Sequence, residues 1–422
     1  MDRSQPWFRG LTGAQWLILF VAWLGWVFDV MDAALFNLAK GPMLTQMLGG
    51  PAAYRQGGAN VEGWIQAIFL TGWAIGGLVF GILADRWGRT RVLLLTILLY
   101  CTFTGLTAIC RDPAQVAFVR FLTALGIGGE WAAGAALVAE ALPDRARAGA
   151  ASFIQSAAAF GPILAALINL MLKGHDWRWL FVAGIAPALL CLAIRFKVKE
   201  PEVTHRAVPI AKSPIREVFS DPHWRRNAIV AMAIGVVGIA GANTATYWAP
   251  NLVEAASTGL AKAEIDARKS AVTIISHGGT LLGICVVPWL CNVFGRKRTI
   301  FGFFLAAPLA LLCGLANPTY GKLLFAMPLV NFFVIGVTAA FVLYFPELFP
   351  TRMRATGAGL AYNVGRVFTI PIPYVTALAI THFGGALTGG VATGVLLTGS
   401  IYLLGLVAIP FAPETRGQPL PD

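Results

Sequence analysis

One turn of this chain occurs twice. Glu140, Pro143, Arg145, Arg147 and Ala148 return in the same order and spacing as Glu347, Pro350, Arg352, Arg354 and Ala355. The pair Gly88-Arg89 returns at the same offset as Gly295-Arg296. Two matches at one offset in 422 residues identify an internal duplication. A duplication constrains the architecture more than any local signal, because what the first half builds the second must build again.

What each half contains is mostly apolar. Hydrophobic residues make up 57% of the chain and charged residues 12%, with a mean hydropathy of +0.70. Soluble domains carry about 25% charged residues, so this composition requires a lipid solvent. Twelve apolar stretches are long enough to cross a bilayer, each holding roughly 17 to 26 residues. They fall at 16–39, 61–83, 92–110, 114–139, 148–172 and 177–196, then at 228–253, 271–293, 299–315, 323–345, 355–380 and 390–411. The expected fold is an all-α integral membrane protein with twelve transmembrane helices in two pseudo-symmetric six-helix bundles. Residues 1–196 would form one bundle and 227–422 the other. Residues 197–226 are charged, hold Pro201, Pro209, Pro214 and Pro222, and read as a solvated linker. No charged region, short apolar core and small-residue cleavage site precede the first stretch, so no cleaved signal peptide is expected.

Lys and Arg set the orientation. With a cytoplasmic N-terminus, twenty-one fall on that side and nine on the other, Lys40, Arg55 and Lys269 among the nine. Both termini are therefore expected in the cytoplasm, with the protein in the inner (plasma) membrane. The net charge of +12 follows from this topology and from anionic-lipid contact, without calling for nucleic acid. The six cysteines form no CxxC pair or Cys/His cluster and read as small core residues. Neither HExxH nor GxSxG is present, and no nucleotide-binding motif, so metal, cofactor, enzymatic activity and ATP drive are not expected.

The turn between the second and third stretches reads Gly81-Ile-Leu-Ala-Asp85-Arg86-Trp87-Gly88-Arg89-Thr90-Arg91. An Asp among several Arg can pair and be released, which suits a conformational latch. This segment resembles the loop signature of the major facilitator superfamily. The twelve stretches, the duplication and Pro413-Glu414-Thr415-Arg416-Gly417 after the last stretch agree with it. The resemblance implies a latch built from Gly81, Asp85, Arg86, Gly88 and Arg89, with Glu140, Arg145, Glu347 and Arg352 of the repeated turn. In the second half Asn292 stands for Asp85 and Pro288 for Gly81, so the echo is degenerate and argues against a full second latch.

The first stretch carries Trp23-Leu-Gly-Trp-Val-Phe-Asp29-Val-Met-Asp32. Residues at i and i+3 share a helix face, and carboxylates in a membrane face a bundle or a wet cavity. The segment is similar to the sialate:proton symporters and their organic-acid relatives, including lactate-type monocarboxylate carriers. Arg120-Phe-Leu-Thr-Ala-Leu-Gly126-Ile-Gly128-Gly129-Glu130 in the fourth stretch resembles the same subgroup. Depth along the helices allows Arg120 to pair with Asp29 or Asp32, and leaves Glu130 about 15 Å deeper. Asp29, Asp32 and Glu130 are the candidates for a proton-coupling role. Gly72, Gly76, Gly77 and Gly81 form a small-residue stripe that reads as helix packing. Gly161-Pro162 resembles the superfamily's antiporter element with its neighbouring glycines absent, which leaves exchange open.

The second half is poorer in charge. Its stretches hold Arg366, His277, Asn243 and Tyr247, with Tyr362 and Asn363 one turn from Arg366. A buried Arg is costly, and a carboxylate ligand is its natural counterpart. Arg366, Arg120, Asn243, Tyr247, His277, Tyr362 and Asn363 are the candidate substrate-binding residues. For His277 a packing role competes with a binding one. The expected function is secondary transport of a small organic anion, a monocarboxylate or sialate-like acid, coupled to protons, in a monomeric functional unit. An exchanger, an exporter of neutral or cationic compounds using the acidic pair, and a non-transporting receptor remain alternatives.

Overall fold

The computed structural model describes residues 8–87, 89–185, 214–350, 353–385, 389–418 and 421. Among them, nine helical segments are long and apolar enough to cross a membrane. The architecture is twelve helices in two six-helix bundles. The outward surface is apolar: Phe325 is 86% exposed and Met171 82%. Only a lipid environment makes such a surface stable.

Several spans are longer or more broken than the sequence suggests. The first helix runs Gly13–Met47 and begins on a capping box, Thr12 accepting from the Gln15 N–H while Gln15 reaches back to Thr12. The second runs Ala59–Trp87, the fourth Pro113–Ala141 and the eighth Lys262–Phe294. The fifth is interrupted at Ser156, between Asp144–Gln155 and Ala157–Met171. The tenth divides into Tyr320–Val334 and Val337–Glu347, and the eleventh into Arg354–Thr369 and Ile372–His382. The break in the eleventh falls at Pro371, which lacks the N–H that a continuing helix requires. Residues 197–213 of the expected linker and the end of the sixth stretch lie outside the described residues.

The duplication is visible contact by contact. Gly72 and Gly76 let the second helix press onto the fourth: a Cβ there would lie 2.5 Å from the Phe121 carbonyl oxygen and 2.2 Å from that of Leu125. At the same sequence offset, Gly279 and Gly283 press the eighth helix onto the tenth, against the Pro328 carbonyl at 2.0 Å and that of Phe332 at 2.8 Å. These are matched small-residue seams, one per bundle. They hold helices at backbone contact where lipid supplies no hydrophobic drive.

Candidate functional site

Between the two bundles lies a cavity of about 270 Å³. The first bundle contributes Trp26, Val30, Asn37, Gln66, Phe69, Trp73 and Gln155. The second contributes Ile239, Asn243, Thr246, Ser276, His277, Asn331, Tyr362 and Arg366. A cavity at the interface of two repeats, lined by both halves, is the default place for a ligand in such an architecture.

Arg366 is the cation of this cavity that most resembles an anchor. Its guanidinium carbon sits 4.8 Å from the Trp73 ring centre and 5.0 Å from that of Tyr362. Tyr362, one turn back, also shares a hydrogen bond with it. Trp73 belongs to the other bundle, so the cation is held between aromatic faces of both halves, an arrangement worth about 0.5–2 kcal/mol per ring. The Asp29 carboxylate acts on Arg366 electrostatically across the same boundary. In the same cavity lining, Trp73 Nε1, Asn243 Oδ1 and Asn331 Oδ1 are buried without a hydrogen-bond partner in the protein. His277 Nδ1 lies 2.9 Å from the Thr273 carbonyl oxygen.

Thus Arg366, Asn243, Tyr247, His277 and Tyr362 all line one cavity. Arg120 and Asn363 do not. Arg120 is 1% exposed and donates to Asp32 Oδ2 at 2.6 Å, with its guanidinium over Phe36 at 4.6 Å and Phe69 at 4.4 Å. Thr104 donates to the other Asp32 oxygen at 2.7 Å. This is an internal ion pair, and the guanidinium engaged in it stands outside the cavity lining. Asn363 points outward and is exposed, because the helix turn that aims Tyr362 and Arg366 inward aims their neighbour elsewhere. Asp29, Asp32 and Glu130 are buried in the first bundle, at 2%, 3% and 3% exposure, and none lines the cavity.

At the end remote from the termini the cavity is closed by a buried polar network. Lys40 and Glu62 pair at 3.0 Å, with side chains 1% and 0% exposed. Lys40 Nζ also donates to the Tyr247 carbonyl at 2.7 Å and lies 3.2 Å from the Tyr247 ring centre. The Tyr247 hydroxyl donates to the Glu62 carbonyl at 2.9 Å. The Asn251 amide reaches both Glu62 oxygens at 3.1 Å, and the Tyr54 hydroxyl donates to the same carboxylate. Beside it, Lys269 and Glu254 pair at 2.5 Å. Counted by sidedness, Lys40 and Lys269 are expected to be loop charges. The structure buries both, at 1% and 2% exposure, because each finds a carboxylate in its own bundle.

At the other end, the second half does build a clamp. Arg296 holds Glu347 through two hydrogen bonds, Nε at 3.0 Å and Nη2 at 2.8 Å. Asn292 accepts from Arg296 at 3.2 Å, and Thr415 donates to Glu347 at 2.5 Å. Glu414 takes the N–H groups of Arg296 and Lys297 at 3.0 and 3.1 Å, capping the ninth span. Replacement of Asp85 by Asn292 therefore weakens the echo without abolishing it, since the amide oxygen still accepts from an Arg. Gly81 lies in the second helix. Gly88 and Arg352 lie outside the described residues, as do the side chains of Asp85, Arg86, Arg89, Glu140 and Arg145.

Sequence reasoning passed over Trp73, Gln66, Gln155, Asn331, Glu62 and Asn251. Glu62 carried a usable signal, an acidic residue inside the second stretch. Trp73 carried none, because aromatic residues are common in every span. Among the described residues, no group of three or more His, Cys, Asp or Glu could hold a metal ion.

Comparison with known proteins gives a consistent picture. The model of the Major Facilitator Superfamily matches residues 16–373. A probable 4-methylmuconolactone transporter of Cupriavidus pinatubonensis is 31% identical over 97% of this chain and 93% of its own length. A sialic acid transporter of Escherichia coli is 27% identical over 90% of this chain and 91% of its own. Among solved structures, a xylose transporter of E. coli shares the fold with a TM-score of 0.74 at 17% identity, covering 97% of this chain and 100% of that one.

Proposed function

This chain belongs to the major facilitator superfamily, and on that premise we propose that it carries a small carboxylate-bearing organic acid across the cell membrane together with protons. It is a multi-pass transport protein, and its relatives in sequence include carriers of organic acids. The observation that carries the finer reading is Arg366, a permanent cation held between Trp73 and Tyr362 in the cavity between the bundles. A guanidinium binds a carboxylate through two parallel hydrogen bonds. The aromatic walls suit a planar or unsaturated acid. Asp29 and Asp32 stand away from the cavity lining, which weighs against a carrier of cations.

Coupling follows from Coulomb's law. An anion arriving at Arg366 meets the field of Asp29. When Asp29 is ionised it competes for the guanidinium and repels the cargo; when it is protonated it does neither. Proton and anion then bind cooperatively, which is the requirement of symport. Asp32 and Glu130 are further candidates for the same proton. We take residues 1–196 and 227–422 as the two bundles, 197–226 as a linker, both termini as cytoplasmic and the monomer as the working unit. The closed network around Lys40 and Glu62 supports alternating access, with the cavity shut at the end away from the termini. Uptake into proteoliposomes tests the reading. Accumulation of an organic acid, driven by an inward proton gradient and lost in Arg366→Ala, is expected. Uptake confined to neutral or cationic compounds overturns it.

A further inference from the structure

The cavity draws its hydrogen-bond donors from one set of helices and its acceptors from another. The donors are Arg366 and the indole N–H of Trp73, whose Nε1 is buried and without a partner. The acceptors come from three other helices. Asn243 Oδ1 in the seventh span and Asn331 Oδ1 in the tenth are buried without a partner, and Asn331 is only 1% exposed. The third acceptor is His277 in the eighth. Its Nδ1 lies 2.9 Å from the Thr273 carbonyl oxygen. A carbonyl oxygen only accepts, so Nδ1 carries the hydrogen and Nε2 of the neutral ring is left as an acceptor.

Buried acceptors without partners are expensive, about 1–3 kcal/mol each. They persist where something else satisfies them. We infer that Asn243, Asn331 and His277 form a second subsite that selects acids bearing a hydrogen-bond donor, a hydroxyl or an amine, in addition to the carboxylate. The inference rests on Arg366 as the carboxylate anchor. A plain acid satisfies Arg366 and Trp73 but strands the acceptors. A donor-substituted acid satisfies both sets of groups at once. Sites built to bond a substrate hydroxyl discriminate strongly against analogues that lack it, because their own polar groups are then left unpaired. Asn243 and His277 thereby become specificity-determining residues, joined by Asn331.

The test is calorimetric binding to the purified full-length protein in lipid nanodiscs. Two matched series serve as probes: benzoate with its 3- and 4-hydroxy and 4-amino derivatives, and propionate with 2- and 3-hydroxypropionate. In the wild-type protein at least one donor-bearing acid should bind roughly tenfold or more tighter than its parent. That preference ratio should collapse toward one in Asn331→Leu and in Asn243→Leu, with Asn331→Ser as the gentler variant should Leu disturb folding. The wild-type comparison needs no variant at all. Parent acids binding as tightly as their derivatives, or a preference that survives both Asn substitutions, overturns the subsite and leaves the Arg366 reading intact. Failure of every acid in both series to bind overturns the anion-carrier reading, and the subsite with it.

Discussion

Lys40 donates to the backbone carbonyl of Tyr247, its own counterpart in the second half of the duplication. Residues related by a two-fold axis touch only near that axis, so this contact lies where the two bundles pivot on each other. It sits within the network that shuts one end of the cavity. Glu62 from one bundle and Asn251 from the other complete the closure at 3.1 Å. Opening this end must break the Lys40, Tyr247 and Asn251 contacts between bundles, while the Lys40–Glu62 pair can stay whole inside the first.

The closure should therefore respond to its cross-boundary bonds. Removing the Asn251 amide, together with the Tyr247 hydroxyl, should favour the conformation open at that end. Asn251→Ala/Tyr247→Phe is expected to raise the reactivity of a cysteine placed at Val253 towards a membrane-impermeant thiol reagent by several-fold. The loss is two to three hydrogen bonds of about 1 kcal/mol each. Unchanged labelling would show that closure rests on something else.

The pair itself should behave as buried ion pairs do. Glu62→Met leaves Lys40 charged and unpaired in a dry site, at a cost of about 3–5 kcal/mol. The double variant Lys40→Met/Glu62→Met should recover most of that loss. Thermal unfolding in detergent reads both. A double variant as unstable as the single would contradict the pairing as drawn.

Asp32 and Asp29 should separate. Asp32 holds Arg120 at 2.6 Å, so Asp32→Asn should destabilise the protein by several kcal/mol through the stranded guanidinium. Asp29→Asn should change the pH response. In the wild type, acid affinity should rise as pH falls, because protonating Asp29 relieves repulsion of the anion. In Asp29→Asn that slope should flatten. An identical slope in both proteins would move the proton elsewhere, to Glu130 first.

Arg366→Lys should weaken binding of organic acids by at least tenfold, since an ammonium cannot reproduce the fork, in a protein that still unfolds cooperatively near the wild-type temperature. Retained affinity would mean that Arg366 serves the aromatic pair beside it and leaves the cargo to other groups.

Glu347→Gln should slow transport without abolishing cargo binding. The substitution weakens both hydrogen bonds to Arg296, far from the cavity. Wild-type exchange and uptake rates would remove this clamp from the transport cycle.

The repeated turn and the apolar stretches were enough to read the fold, because span length and duplication are one-dimensional properties. Arg366 and His277 could be found too, as rare polar residues inside spans. The closing network could not. Lys40 is read as a loop charge when charges are counted by sidedness, and its partners Tyr247 and Asn251 lie a whole bundle away in sequence. The Arg120–Asp32 pair was foreseeable by depth along the helices. That it withdraws Arg120 from the cavity is a matter of which way a side chain turns, which spacing alone leaves open.

Glu62 and Lys269 are counterparts in the duplication, one an anion and the other a cation. Each has its neutralising partner within its own bundle, Lys40 for the one and Glu254 for the other. When the bundles part, two electrically balanced surfaces separate, and no net charge of this network is displaced through the membrane field. The transmembrane voltage therefore has no handle on this closure, and the electrogenicity of the cycle is set by the cargo and its protons alone.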